Sequence, residues 1–133
     1  VVYTFSGTAQ DYSVIASYTG VKQSGQPDAS LATTDDATSP YRDTLTSVAD
    51  NCWMVSIFGT QNSFTPEAEA GTTLRNPSAN IIVLADSGGV ITPAGSKTLG
   101  FTAGALSSAV VSLTIAPALS SGHQKNVLTL GVG

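Results

Sequence analysis

The sequence feature that most constrains the fold is one apolar run, Cys52 to Gly59, which contains the only Cys, Met and Trp of the chain. A run of this length suits a strand better than an ordinary helix, and its β-branched and aromatic content agrees. Side chains of a strand alternate between two faces, and neither face is polar here. The two sets are Cys52, Met54 and Phe58 on one face and Trp53, Val55 and Ile57 on the other. The run therefore predicts a central strand that is covered on both sides.

The composition is that of a folded β domain. A length of 133 residues suits a single domain spanning residues 1–133, and 41% apolar residues with a net charge of −4 exclude a disordered chain. Five scattered basic residues argue against nucleic acid as a partner, since phosphate binding needs clustered Lys and Arg. No apolar run approaches the roughly 20 residues of a membrane-spanning helix. Sparse charge and 34 Ser and Thr residues are typical of β proteins at extracellular or virion surfaces.

Alternating and apolar segments, separated by Gly, Pro and Asp, predict about eight or nine short strands and no convincing helix beyond one turn at 66–70. The predicted strands are 2–6, 12–19, 41–48, 52–59, 72–75, 80–85, 96–102, 108–116 and 125–132. The stretch 21–40 is predicted to be mostly loop, with a short edge strand around Leu31, and 60–71 to be another loop. Strands 41–48 and 52–59, joined by a turn at 49–51, are predicted to form a hairpin. The pattern indicates an all-β, antiparallel β-sandwich that is jelly-roll-like, stabilised by sheet-on-sheet packing of 52–58 and 80–85.

Several short motifs follow one another in a fixed order along the chain. They are ASYTGVKQ (16–23), DNCWMV (50–55), AGTTLR (70–75), ADSGG (85–89), TPAGS (92–96) and IAPA (115–118). From about residue 2 to residue 118 this order resembles Ser/Thr/Gly-rich β-sandwich domains of uncharacterised phage and bacterial surface proteins. The resemblance implies a sandwich in a virion or cell-surface setting, and it implies no catalytic residues.

The two ends of the chain depart from that family pattern. In such proteins further strands usually precede the segment that begins here at Val1, so we expect this chain to begin inside a larger unit. The family pattern tends to finish after Pro117, whereas this chain continues through 123–133. This tail resembles the first strand of a similar domain and carries Val127, Leu128, Leu130 and Val132. One hypothesis is that it completes the sheet of a neighbouring copy, and the alternative is that it pairs within its own domain.

Acidic residues in the 21–40 loop are the best metal candidates in the sequence. Asp35 and Asp36, with Asp28 and Asp43 in or beside the same loop, offer the oxygen ligands that calcium prefers. Their spacing matches no EF-hand, so a weak calcium site competes with ordinary solvated carboxylates. No other cofactor is expected, because the single His123 and an apolar Cys52 give zinc or iron too few ligands.

The candidate catalytic groups lack partners. Ser87 lies in an Asp-Ser-Gly-Gly stretch like that of chymotrypsin-like serines, but the only histidine, His123, follows it in the opposite chain order. A Ser-Gly-Gly sequence after an apolar strand also suits a tight turn. Glu67 and Glu69 are too close in one loop to face each other across a glycosidase cleft. We therefore expect no enzymatic activity.

The aromatic residues provide the remaining candidate ligand site. Sugar-binding sandwiches stack apolar sugar faces on aromatic rings, and Tyr41 and Phe64 flank loops, which makes them the better exposed candidates. Trp53 is expected to pack in the core because it lies in the most apolar strand.

Two functions remain open from the sequence. The leading hypothesis is a structural or assembly domain of a virion (a decoration, tail or fibre protein) or of an extracellular filament, with copies of itself or other structural subunits as partners. The alternative is a carbohydrate-binding module or a phage receptor-binding domain, with glycans as partners.

Overall fold

The computed structural model describes residues 14–34, 39–76, 80–104 and 108–118, and over these residues the chain is all-β. Eight strands are formed there, and every pairing between them is antiparallel. They are β1 (Ala29–Thr34), β2 (Tyr41–Thr46), β3 (Trp53–Phe64), β4 (Glu67–Ala68), β5 (Thr73–Leu74), β6 (Asn80–Asp86), β7 (Ser96–Thr102) and β8 (Ser108–Ile115). The predicted all-β antiparallel class is confirmed, whereas jelly-roll connectivity stays a prediction.

The strands form two sheets. The large sheet has the order β1-β8-β3-β6-β5, and the small sheet has the order β2-β7-β4. Apolar side chains of both sheets meet between them, as expected for two packed layers. Within the described part of the chain, no helix is long and apolar enough to cross a membrane.

Phe101 of β7 is the centre of the aromatic core between the sheets. Its ring stacks on Tyr41 of the neighbouring strand at 5.3 Å between centroids, and it meets the edge of Phe58 on the large sheet at 4.8 Å. Phe64, also on the large sheet, stacks on Phe101 at 5.3 Å. Edge-to-face and offset contacts of this kind stabilise a core beyond the apolar area that they bury. A second cluster of Leu45, Met54 and Leu99 continues the core.

The central apolar run forms the middle strand of the large sheet, with β8 on one side and β6 on the other. The strand was expected to end at Gly59. Instead, β3 continues to Phe64, with a shift in its pairing register with β6 between Gly59 and Phe64. Met54, Ser56 and Phe58 on its inner face are fully buried. The expectation that both faces are covered holds only in part: on the outer face Val55 is buried and Trp53 is half-buried, but Ile57 is 39% exposed.

The predicted hairpin of 41–48 with 52–59 is wrong. The turn between the two segments forms, with Asn51 at a φ of 61°, but the strands diverge into different sheets. β2 pairs with β7, and β3 pairs with β6 and β8. Likewise, 52–58 and 80–85 are neighbours in one sheet and do not face each other across the core.

The bounds of the other predicted strands can be compared directly with those in the structure. β7 has the predicted bounds, β5, β6 and β8 lie within two residues of theirs, and the edge strand around Leu31 exists as β1. Residues 14–19 of the predicted strand 12–19 are not a strand, and the loop predicted at 60–71 contains the end of β3 and all of β4. The helical turn predicted at 66–70 is absent there. The predicted strands 2–6 and 125–132 lie outside the described residues.

Candidate functional site

The outer face of the large sheet is unusually apolar. Ile57 lies directly opposite Val111 of β8 on one side and Leu84 of β6 on the other. Ile57 and Val111 are 39% and 51% exposed. Directly opposite side chains have Cβ atoms about 5 Å apart, so such rows form continuous surface. We call the incompletely buried members of this surface the outer apolar face: Ile57, Ile82, Val111, Leu113 and Ile115.

The inner face of the same sheet carries hydroxyl groups where the outer face carries aliphatic groups. Ser56, Ser112 and Thr114 are fully buried between the sheets. These hydroxyl groups lie among the apolar core residues of the inner face, such as Met54 and Phe58, whereas the outer face of such a sheet is normally polar. A contiguous exposed apolar surface of this kind is a candidate binding surface.

One end of the outer face is crossed by residues 14–20, which lead up to the bridge between Val21 and Pro117. Tyr18 of this segment donates a hydrogen bond of 2.9 Å from its hydroxyl to Asp86 Oδ2. Its ring lies 5.5 Å from that of Trp53, at an angle of 52°. Tyr18 and Trp53 are both half-buried, so parts of both aromatic rings face solvent.

Asp86 organises the polar part of this region. Its side chain is fully buried, and Arg75 donates to it from Nε at 2.5 Å and from Nη2 at 2.9 Å. The Gly88 N–H and the Tyr18 hydroxyl complete its hydrogen bonds. A two-pronged arginine–carboxylate pair fixes geometry as well as charge. Burial, together with the hydrogen bond to Asp86 and the charge of Asp86, raises the pKa of Tyr18 well above its usual value.

A cleft of about 370 Å³ opens between this segment and the sheet. It is lined by residues 15–19 together with Trp53 and Arg75, and we call it the Tyr18–Trp53 cleft. Its volume is at the small end of the range of ligand sites, about 300–1,000 Å³. Aromatic rings, hydroxyl groups and one guanidinium therefore meet in a single concave surface.

The two aromatic residues predicted to be exposed are not exposed binding groups. Tyr41 is only 1% exposed, because alternation along β2 turns it inward with Asp43 and Leu45, and its ring stacks on Phe101. Phe64 is half-buried and stacks on the same Phe101 ring. Tyr41 therefore offers no ring to a sugar, and one face of the Phe64 ring is occupied by Phe101. Trp53, predicted to be in the core, is the one that borders a cleft.

The calcium candidates are not brought together where the structure describes them. Asp28 Oδ2 accepts hydrogen bonds from the Val48 N–H at 2.6 Å and the Ala49 N–H at 3.2 Å, which makes it a turn-stabilising group. Asp43 is buried beneath the small sheet. Asp35 and Asp36 lie outside the described residues. Within the described ranges, no group of three or more His, Cys, Asp or Glu side chains could hold a metal ion.

Ser87, Glu69 and Cys52, which were considered as catalytic or metal-binding candidates, each make contacts that stabilise the fold. The Ser87 hydroxyl donates to the Gly89 carbonyl at 2.6 Å and accepts from the Met54 N–H at 3.2 Å, as suits a turn. Glu69 pairs with Arg42 on the outside of the small sheet. Cys52 is fully buried, as predicted for a small apolar residue.

The structure leaves two of the sequence predictions untested. His123 and the proposed assembly strand with Val127, Leu128, Leu130 and Val132 lie outside the described residues, so strand donation stays a prediction. Tyr18 and Arg75 were not recognised as site residues from the sequence. Tyr18 lies in the motif 16–23 and Arg75 in the motif 70–75. Membership of these two motifs is the only feature of the sequence that could have pointed to them.

No protein-family model, curated protein or solved structure matches the chain.

Proposed function

We propose that this chain is a non-catalytic structural domain that assembles with copies of itself, as part of a virion (decoration, tail or fibre) or of an extracellular filament. The observation that carries the proposal is the outer apolar face. Exposed Ile57 and Val111 lie side by side there, flanked by half-buried Leu113 and Ile115. The family resemblance and the Ser/Thr-rich, charge-poor composition support the same setting.

The distribution of charge favours a second copy as the occupant of this face. Among the outward side chains of β3, β6 and β8, only Asp86 is charged, and it is buried and paired with Arg75. The Arg42–Glu69 pair lies on the opposite side of the molecule, on the small sheet. Two copies with a net charge of −4 each can therefore meet at this face without burying an unpaired charge. A two-fold contact needs a self-complementary patch, and an uncharged apolar face meets that need.

The carbohydrate-binding alternative loses the two residues on which it was based. Tyr41 is buried and Phe64 stacks on Phe101, so neither supports it. Any sugar site has to be argued from other residues.

The test is the mass of the protein by light scattering across a dilution series, with electron microscopy of the concentrated sample. We expect dimers or larger ordered assemblies that dissociate on dilution. The substitution Val111→Lys places a charge in the middle of the outer apolar face and should give a monomer at concentrations where the parent chain associates.

A matched control comes from the turn between β6 and β7. Val90 is 50% exposed, nearly the same as Val111 at 51%, but it lies away from the outer apolar face. Val90→Lys should leave the mass unchanged. A parent chain that is monomeric at every concentration, or a Val90→Lys variant that dissociates as fully as Val111→Lys, would contradict the proposal.

A further inference from the structure

We propose that the Tyr18–Trp53 cleft binds a neutral sugar unit, stacked on the Trp53 ring and hydrogen-bonded by Arg75. This proposal is independent of self-assembly, because the cleft is complete within one copy of the chain. It is also independent of Tyr41, which is buried, and of Phe64, which packs against the core.

The apolar part of the cleft suits the carbon–hydrogen face of a pyranose ring. Tyr18 and Trp53 are tilted by 52° with centroids 5.5 Å apart, and both are half-buried. Such rings offer a wide, rigid contact surface with little side-chain entropy to lose. A tilted pair forms a corner, which contacts one ring on its face and on its edge.

The polar part of the cleft is held in place before any ligand arrives. Arginine has five N–H donors. Two of these bond to Asp86 and a further one interacts with the Tyr18 hydroxyl, which leaves at most two for a ligand. The fully buried Asp86 anchors both Arg75 and Tyr18, so neither side chain has to be ordered during binding. Preorganisation of this kind raises affinity by lowering the entropy cost of binding.

The acceptors in the cleft match hydroxyl groups. The raised pKa of Tyr18 keeps its hydroxyl protonated as a donor to Asp86, and its oxygen retains acceptor capacity. The exposed Ser17 and Thr19 belong to the same lining segment and add hydroxyl groups that both donate and accept. Sugar hydroxyls need donors and acceptors together, and the cleft provides both.

Charge decides between ligand classes. Asp86 offsets the charge of Arg75, so the cleft has no net positive charge to attract an anion. An aromatic cleft could also stack a nucleobase, but nucleotide phosphates require clustered Lys and Arg, and the chain has a net charge of −4. A neutral saccharide is therefore the ligand class that these residues favour.

The single tryptophan makes the test direct, because all tryptophan fluorescence of this chain comes from Trp53. An array of neutral and acidic oligosaccharides identifies binders, and methyl glycosides of glucose, galactose and mannose, with glucuronate as the acidic probe, are then titrated. We expect a saturable change of Trp53 fluorescence with at least one neutral sugar. The affinity should persist in high salt, since no ion pair to the ligand is involved.

Two variants test the geometry. Binding by each variant is measured by calorimetry. Trp53→Ala should weaken the affinity by about tenfold or more, whereas Trp53→Phe should retain part of the affinity. Phe64→Leu, which changes an aromatic residue outside the cleft, should leave binding unchanged. Protection of the Cys52 thiol verifies that each variant is folded.

Three results would overturn the proposal. One is the absence of any sugar response at millimolar concentrations. Another is a folded Trp53→Ala variant that binds as tightly as the parent chain. The last is binding restricted to acidic sugars and abolished by salt.

Discussion

The hydroxyl oxygens of Ser56 and Ser112 lie 2.6 Å apart at the centre of the large sheet, and both side chains are fully buried. The two residues are directly opposite each other on β3 and β8. Each satisfies the other in a place that water does not reach. Their partnership explains how two hydroxyl groups can be buried among the apolar residues of the inner face.

This pair predicts a non-additive mutant cycle. Ser56→Ala or Ser112→Ala alone leaves one buried hydroxyl without its partner, and each should lower the free energy of unfolding by about 1–3 kcal/mol. The double variant removes both groups and should be less destabilised than the sum of the two single variants. Urea unfolding of the four proteins measures the coupling. Strict additivity would show that the two hydroxyls do not depend on each other.

Gly100 predicts a steric effect in the small sheet. A Cβ atom at this position would lie 2.9 Å from both the Tyr41 carbonyl oxygen and Arg42 Cγ, and it would also clash with the Glu69 carboxylate. Gly100→Ala should therefore lower the free energy of unfolding by about 1–3 kcal/mol, as overpacking does. Gly89→Ala is the control, because a Cβ there meets nothing within 4 Å. Equal stability of the two variants by urea unfolding would contradict the close packing at Gly100.

The Cys52 thiol should be unreactive in the folded protein. Burial, the negative charge of Asp28 and the hydrogen bond to Asp28 raise the pKa of Cys52 to about 11. The stabilisation linked to this shift is fully present below the unfolded pKa of about 8.5 and is lost as the pH rises through the folded value. At pH 8 a thiol reagent should label Cys52 only at the rate of unfolding. Rapid labelling of the native protein would place Cys52 at an exposed position.

Asp28 predicts the acid side of the stability curve. Burial alone would raise its pKa, but the N–H groups of Val48 and Ala49, with Cys52 and Thr114, hold the pKa of Asp28 below its usual value. Its stabilising effect is therefore present above about pH 4 and is lost as the pH falls through the folded value. Asp28→Asn should lower stability at neutral pH and flatten the loss below pH 4. Parallel curves for both proteins in thermal unfolding at several pH values would refute this role.

Asp43 predicts a substitution that stabilises the protein. Its side chain is 4% exposed, and Oδ2 makes no hydrogen bond within the described part of the chain. A buried polar atom without a partner lowers stability, whereas a β-branched apolar residue suits an inward position of a strand. Asp43→Val should raise the free energy of unfolding by about 1 kcal/mol or more. Thr44→Val, at the neighbouring outward position, should change stability less, and a destabilised Asp43→Val variant would show that the carboxylate has a structural role.

Local pattern was sufficient for several elements. The alternation in 108–116 and the turn residues around 96–102 predicted β8 and β7 with nearly the observed bounds, because the two-residue period of a strand is a property of neighbouring residues. The buried state of Cys52 followed from its apolar neighbours in the same way.

Strand partners and exposure were decided only by the tertiary structure. The turn at 49–51 suggested a hairpin, but β2 pairs with β7, some fifty residues away, and pairings at that distance leave no local signal. Tyr41 is buried because Phe101 from that distant strand stacks on it. Trp53 is half-buried because it lies on the outer face, where Tyr18 of a distant segment contacts its ring.

The sequence by itself therefore determined the all-β class, most strand positions and the apolar character of the central run, since these depend on the type and spacing of neighbouring residues. The tertiary structure alone decided which face of the large sheet is covered. It also decided that Tyr18, Arg75 and Asp86 meet beside Trp53. The physical reason is that both depend on contacts between segments far apart in the chain, and a one-residue change of register would turn each side chain to the opposite face.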